Sequence, residues 1–125
     1  MESASPTPTL GFKRIKGVAL AVANALRARH FYGETLGLSP AMEDGVQVGC
    51  LLGDTILMFK EDWYGKPTDA PNPRVTLEVE NARETERALR HHGVTISDPV
   101  ERYGGALVGA FLDSEGNKLW FCSAA

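Results

Sequence analysis

The chain repeats itself. The segment VALAVANA at 18–25 lies over VTLEVENA at 75–82 with an offset of 57 residues, and Val, Leu, Val, Asn and Ala coincide at five of the eight positions. The shared apolar residues alternate, as a strand with one buried face requires, and each run ends on an Asn suited to cap a helix. The likeness continues more loosely. Gly37 answers Gly93 with the offset slipping by one, and GDTILM at 53–58 answers GNKLWF at 116–121 with an offset of 63. A chain of 125 residues built from two such copies makes two small halves that must share one core, because neither alone buries enough apolar surface.

Each copy reads as strand, helix, then several strands. In the first, Asn24 is the predicted N-cap, Ala28, Phe31, Tyr32 and Thr35 or Leu36 recur at helical spacing, and Gly37 ends the helix. In the second, Asn81 caps with Glu84 three residues on, Thr85, Ala88, Leu89 and His92 form the predicted inward face, and Gly93 terminates. Short strand candidates follow, at 46–52 and 55–60 in the first copy and at 106–112 and 118–122 in the second. These readings divide the chain into a tail at 1–12, a first module at 13–64, a proline-rich linker at 65–73 and a second module at 74–125, one domain overall.

Period two assigns the faces. Val18, Leu20 and Val22 are large and are expected to face the helix, leaving Gly17, Ala19 and Ala21 on the other side. Val75, Leu77 and Val79 do the same in the second copy, which puts Arg74, Thr76 and Glu78 on the face shared with the small residues. Small and polar groups together on one surface suggest a cavity; a face simply exposed to water is the alternative. In the last strand Leu119 and Phe121 alternate with Lys118, Trp120 and Cys122, so Trp120 falls on the presumed cavity face. The offset of 63 gives Leu57 the corresponding place in the first copy, and Phe59, Trp63, Tyr64, Tyr103 and Phe111 are further candidates for lining the same volume.

Composition narrows the class of function. With 23% charged and 43% apolar residues the chain is an ordinary globular one, and a net charge of −3 without a basic patch gives no reason to expect nucleic acid or an anionic membrane. Cys50 and Cys122 sit in apolar stretches and read as reduced packing residues. The Ser/Thr/Pro-rich start lacks the apolar core of a signal peptide, and no apolar run is long enough to span a bilayer, so the expected location is cytoplasmic.

The run NALRARHFYGETLGL at 24–38 and the run DSEGNKLW at 113–120 resemble the vicinal oxygen chelate superfamily, which contains glyoxalase I, extradiol dioxygenases and bleomycin resistance proteins. The helix ending in FY before LGL and the late D-P-x-G-N turn carry the likeness, with Ser114 standing in place of the proline. The resemblance implies an α+β fold of two tandem βαβββ modules whose curled mixed sheets surround a central cavity, often completed by a second subunit as a homodimer. In the metal enzymes of that superfamily, His and Glu near the start and end of each module hold one divalent ion. Those places fall here on Gly17, Leu57, Arg74 and Trp120, and none of the four supplies the expected donor. The expectation is therefore no metal and no other cofactor. His30, His91 and His92 read as surface or helix-end residues.

Two functions fit that pattern. The first is a metal-independent binding protein similar to bleomycin resistance proteins, sequestering an aromatic natural product or drug against Trp120 and the other lining candidates. The second is a metal-free isomerase, cyclase or lyase with Glu78 as acid or base and Arg74 as electrostatic stabiliser. Arg74 and Glu78, two apart on one strand face, can also simply pair with each other.

Overall fold

The computed structural model describes residues 9–61 and 65–125. Two four-stranded mixed sheets form its frame. The first comprises β1 (Gly17–Val22), β2 (Ser39–Glu43), β3 (Val46–Leu52) and β4 (Thr55–Glu61) in the order β1-β4-β3-β2. The second comprises β5 (Thr76–Glu78), β6 (Ile96–Tyr103), β7 (Ala106–Leu112) and β8 (Lys118–Ala124) in the order β5-β8-β7-β6. In each sheet the first strand pairs parallel with the last and the remaining pairs are antiparallel. Helix α1 (Ala25–His30) follows β1, and α2 (Ala82–His91) follows β5, so the order is βαβββ twice over.

The helix starts are built as the sequence indicates. Asn24 Oδ1 accepts from the Arg27 N–H at 3.0 Å and Asn81 Oδ1 from the Glu84 N–H at 3.1 Å. The last residues of the sheets add a second cap to each. Glu61 Oε2 accepts from the Ala25 N–H at 2.7 Å, and Ser123 Oγ from the Ala82 N–H at 2.9 Å. Both helices stop before a glycine at φ 76°, Gly37 and Gly93, where a side chain would be strained. A π-helical turn, Phe31–Thr35, continues α1, a departure from the regular helix expected there. It places the adjacent Phe31 and Tyr32 both inside the core.

Two expectations about the inward faces need correction. On α2, Ala88 and His92 are exposed; Ala82 and Leu89 are the buried residues, and Glu86 bends over to accept from the Val100 N–H at 2.7 Å. On β4, Leu57 pairs with Val18 while Met58 pairs with Ala19. Thr76, the repeat partner of Ala19, pairs with Trp120, so Met58 answers Trp120 and the true offset there is 62. Leu57, Phe59 and Glu61 then answer Leu119, Phe121 and Ser123, which matches the burial of Leu57 and Leu119 and the duplicated helix caps.

A single apolar cluster joins the halves, with Leu20, Phe31, Tyr32, Cys50 and Leu57 from one and Leu89, Val94, Phe111, Leu119 and Phe121 from the other. Phe31 reaches Phe111 at 6.4 Å between ring centroids, and Tyr32 stacks on Phe59 at 5.2 Å. Burial of these large rings by both halves at once is what makes one domain of two copies.

Candidate functional site

The seam between the modules is held by the turn before β8. Asp113, 6% exposed, accepts from the Tyr32 hydroxyl at 2.7 Å, and its other oxygen takes the Glu115 and Asn117 N–H groups at 2.8 Å each. Glu115 crosses to the first module. It accepts from the backbone N–H groups of Ala23 and Asn24 at 2.9 Å each and from Arg27 Nε at 2.7 Å. Burial alone would raise the Glu115 carboxyl, but the Arg27 guanidinium, those N–H groups and the Ser114 hydroxyl outweigh it and hold the pKa at about 2. Asn117 donates from Nδ2 to the Ala21 carbonyl at 2.7 Å and accepts the Thr68 N–H on Oδ1 at 3.0 Å, tying β1 to the linker.

That stitching brings the two sheet edges, β1 and β5, face to face without pairing them. A cavity of ≈ 690 Å³ opens between them, walled by residues 17–21 on one side, residues 74–77 on the other, and by Leu57, Lys66, Thr68, Asn117 and Lys118. Gly17, Ala19 and Ala21 are the small residues of the β1 wall, alongside Val18 and Leu20.

Trp120, expected to line the cavity, is half-buried and is not among its lining residues; it shares a face with Thr76 and Glu78 through the register Thr76–Trp120 and Glu78–Cys122 and meets the cavity only through Arg74 and Lys118. The Arg74 guanidinium lies 4.0 Å from the centroid of its ring and the Lys118 ammonium 5.0 Å, and Lys118 is bound to Asp98 at 2.8 Å. Asp98 is held below the usual carboxylate range by that lysine. The pairing of Arg74 with Glu78 does not form; Arg74 takes the indole instead.

Of the other candidate lining residues, Arg74, Thr76 and Leu57 reach the cavity wall. Leu57 does so from the core, at 2% exposure, and not from the place that answers Trp120. Phe111 and Phe59 lie on the helix face, Phe111 packed between Phe31 and Phe121 and Phe59 on Tyr32. The reason is register: Phe111 pairs with Leu119 and Phe59 with Leu20, both core residues. Tyr103 sits 61% exposed at the end of β6, donating to Glu101 at 3.2 Å. Glu78 is exposed and is not among the residues that line the cavity. Trp63 and Tyr64 lie outside the described residues. Lys66 and Thr68 of the linker also line the cavity, where no periodicity marks them, and Lys118 lines it from the start of β8.

The four places of the superfamily's metal ligands come together as two touching pairs. A Cβ on Gly17 would stand 3.0 Å from Met58 Sδ, and Arg74 stacks on Trp120. A thioether, an indole and a guanidinium are not a ligand set for a hard or borderline divalent ion, and among the described residues no three His, Cys, Asp or Glu side chains converge elsewhere. Replacing Leu57 by Met58 at the fourth place leaves that conclusion intact.

Comparison with known proteins agrees with this architecture. The chain is similar to a putative glyoxalase family protein from Bacillus anthracis, with TM-score 0.76 and 19% identity over 94% of this chain and 100% of that one. It is similar to TnmS3, an antibiotic binding protein from Streptomyces sp. CB03234, with TM-score 0.74 and 18% identity over 94% and 100%. It is also similar to lactoylglutathione lyase from Agrobacterium tumefaciens, with TM-score 0.67 and 18% identity over 90% and 95%. No curated protein matches the chain. Identities this low establish a common fold and leave the chemistry open. The family model of the glyoxalase/bleomycin resistance protein/dioxygenase superfamily matches residues 14–121, nearly the whole of both modules, and the chain belongs to that superfamily.

Proposed function

We propose that this protein is a metal-independent small-molecule binding protein of the bleomycin-resistance type, which sequesters a planar aromatic natural product or drug. The observation that carries the reading is the ≈ 690 Å³ cavity at the β1–β5 seam, mostly apolar, with a few polar groups and no set of three metal donors among the described residues. Val18, Leu20, Leu57, Val75 and Leu77 supply the apolar wall, Thr76 and Arg74 the orienting groups, and Trp120 the rigid support behind Arg74. The similar fold of TnmS3, an antibiotic binding protein, supports the same use of the scaffold.

The protein works as a homodimer in the cytoplasm on this reading. Leu10, Phe12 and Leu26 are 85%, 91% and 71% exposed in the single chain, apolar surface that a second copy would cover. No helix among the described residues is long and apolar enough to cross a membrane.

The test is a panel of planar aromatic natural products followed by tryptophan fluorescence and thermal stability, with recovery of each compound by mass spectrometry. At least one compound raises the melting temperature and is recovered unchanged. A flat response across a chemically diverse panel refutes the binding function, and recovery of an altered compound refutes binding without turnover. Stoichiometric zinc, manganese, iron or nickel retained through purification refutes metal independence.

A further inference from the structure

Building on that binding function, we propose that the ligand carries a carboxylate and that Arg74 and Lys66 recognise it. The chain is acidic overall, with 16 Asp and Glu against 13 Lys and Arg. The described residues of the cavity wall reverse that balance: they include Lys66, Arg74 and Lys118 and not one carboxylate. Lys118 is already matched by Asp98 at 2.8 Å, a residue that stands behind the wall. Lys66 and Arg74 form no direct ion pair with any described residue; Asp98 attracts Arg74 only at longer range and is itself bonded to Lys118, so neither of the two charges has a carboxylate in contact with it among the described residues.

Like charges around one apolar space repel each other, and an anion in that space relieves the repulsion while it gains attraction to each. A neutral ligand leaves the repulsion in place, and a cationic one adds to it. Glu78, the acid that would favour a cation, is turned out of the cavity wall. The geometry of Arg74 selects among anions. Its guanidinium lies on the indole of Trp120 at 4.0 Å, so the indole occupies one flat face and the edge N–H groups remain. They make no hydrogen bond to any described residue. A planar fork held flat by an aromatic support fits the two oxygens of a carboxylate side by side. The ring system of the ligand then extends along Val18, Leu20, Leu57 and Leu77.

Isothermal titration of the full chain with three matched probes tests this: anthracene-2-carboxylate, anthracene-2-carboxamide and 2-(aminomethyl)anthracene. The carboxylate is expected to bind about tenfold more tightly than the amide, with the ammonium weakest, and added salt narrows the gap. Replacing both cations, R74Q with K66Q, is expected to abolish the roughly tenfold preference for the carboxylate over the amide. Equal affinity for the three probes, or preference for the ammonium, overturns the charge selection and leaves the binding function standing. A carboxylate preference that survives the double substitution overturns the assignment to Arg74 and Lys66. Absence of binding by all three overturns both the carboxylate proposal and the aromatic-binding function on which it rests.

Discussion

Glu115→Gln removes one charge from the contact that stitches the second module onto the first. In the folded chain the carboxylate side chain is 0% exposed and accepts from two backbone N–H groups, from Ser114 and from Arg27, whereas unfolding returns it to water. The pKa moves from 4.5 to about 2 on folding, which corresponds to an upper bound of about 3 kcal/mol at neutral pH. Arg27 is 53% exposed, so solvent screening reduces the expected loss to about 2 kcal/mol, or roughly 8 °C in melting temperature for a domain of this size. The folded pKa is depressed, so the stabilisation is complete above the unfolded value of 4.5 and disappears as the pH falls toward 2. Urea denaturation of the wild type and the variant at pH 7, 5 and 3 measures this. The gap in stability should be constant from pH 7 to 5 and shrink to less than half by pH 3. Equal midpoints at pH 7, or a gap that ignores pH below 5, would refute the role assigned to this carboxylate.

Three further substitutions test the packing. Leu57→Ala empties a core position and should cost about 3 kcal/mol, while Met58→Ala, at a half-buried position, should cost about 1 kcal/mol or less; the reverse order in thermal melts would restore the original repeat register. Gly49→Ala would place a Cβ 1.9 Å from the Leu57 carbonyl oxygen and should destabilise by about 3 kcal/mol or prevent folding, whereas Gly105→Ala, with nothing within 4 Å, should stay within about 0.5 kcal/mol. Tyr32→Phe removes the donor to buried Asp113 and should cost about 2 kcal/mol by urea denaturation. In the wild type, burial and then the Asp113 charge push the Tyr32 phenol well above its ordinary range, so absorbance titration should show it ionising only as the chain unfolds in alkali.

Much of the fold was legible because duplication and period two leave marks in a linear sequence. The Asn caps, the glycine stops and the alternation of β1, β5 and β8 all stand where local chemistry puts them. The site was less so. Alternation within β8 separated Trp120 from Leu119 and Phe121, but only the pairing of strands across the sheet shows that Trp120 shares a face with Thr76 and that Phe111 and Phe59 lie with the core residues Leu119 and Leu20. A single residue of slip in the offset exchanged Leu57 for Met58, and no local signal distinguishes an offset of 62 from 63 when both neighbours are apolar.

The sequence by itself determined two βαβββ copies, their helix boundaries and the face of Trp120, since these depend on residue type and short-range periodicity. Only the tertiary structure decided that the DSEGN turn is a clamp. Glu115 reaches Arg27 and Asn117 reaches Ala21 across 88 and 96 residues of chain, contacts that no spacing rule encodes. It also decided the character of the cavity. Lys66 of the linker, Arg74 before β5 and Lys118 of β8 meet there because β1 and β5 are left unpaired at the seam, and their charge becomes a property of the site only once folding gathers them.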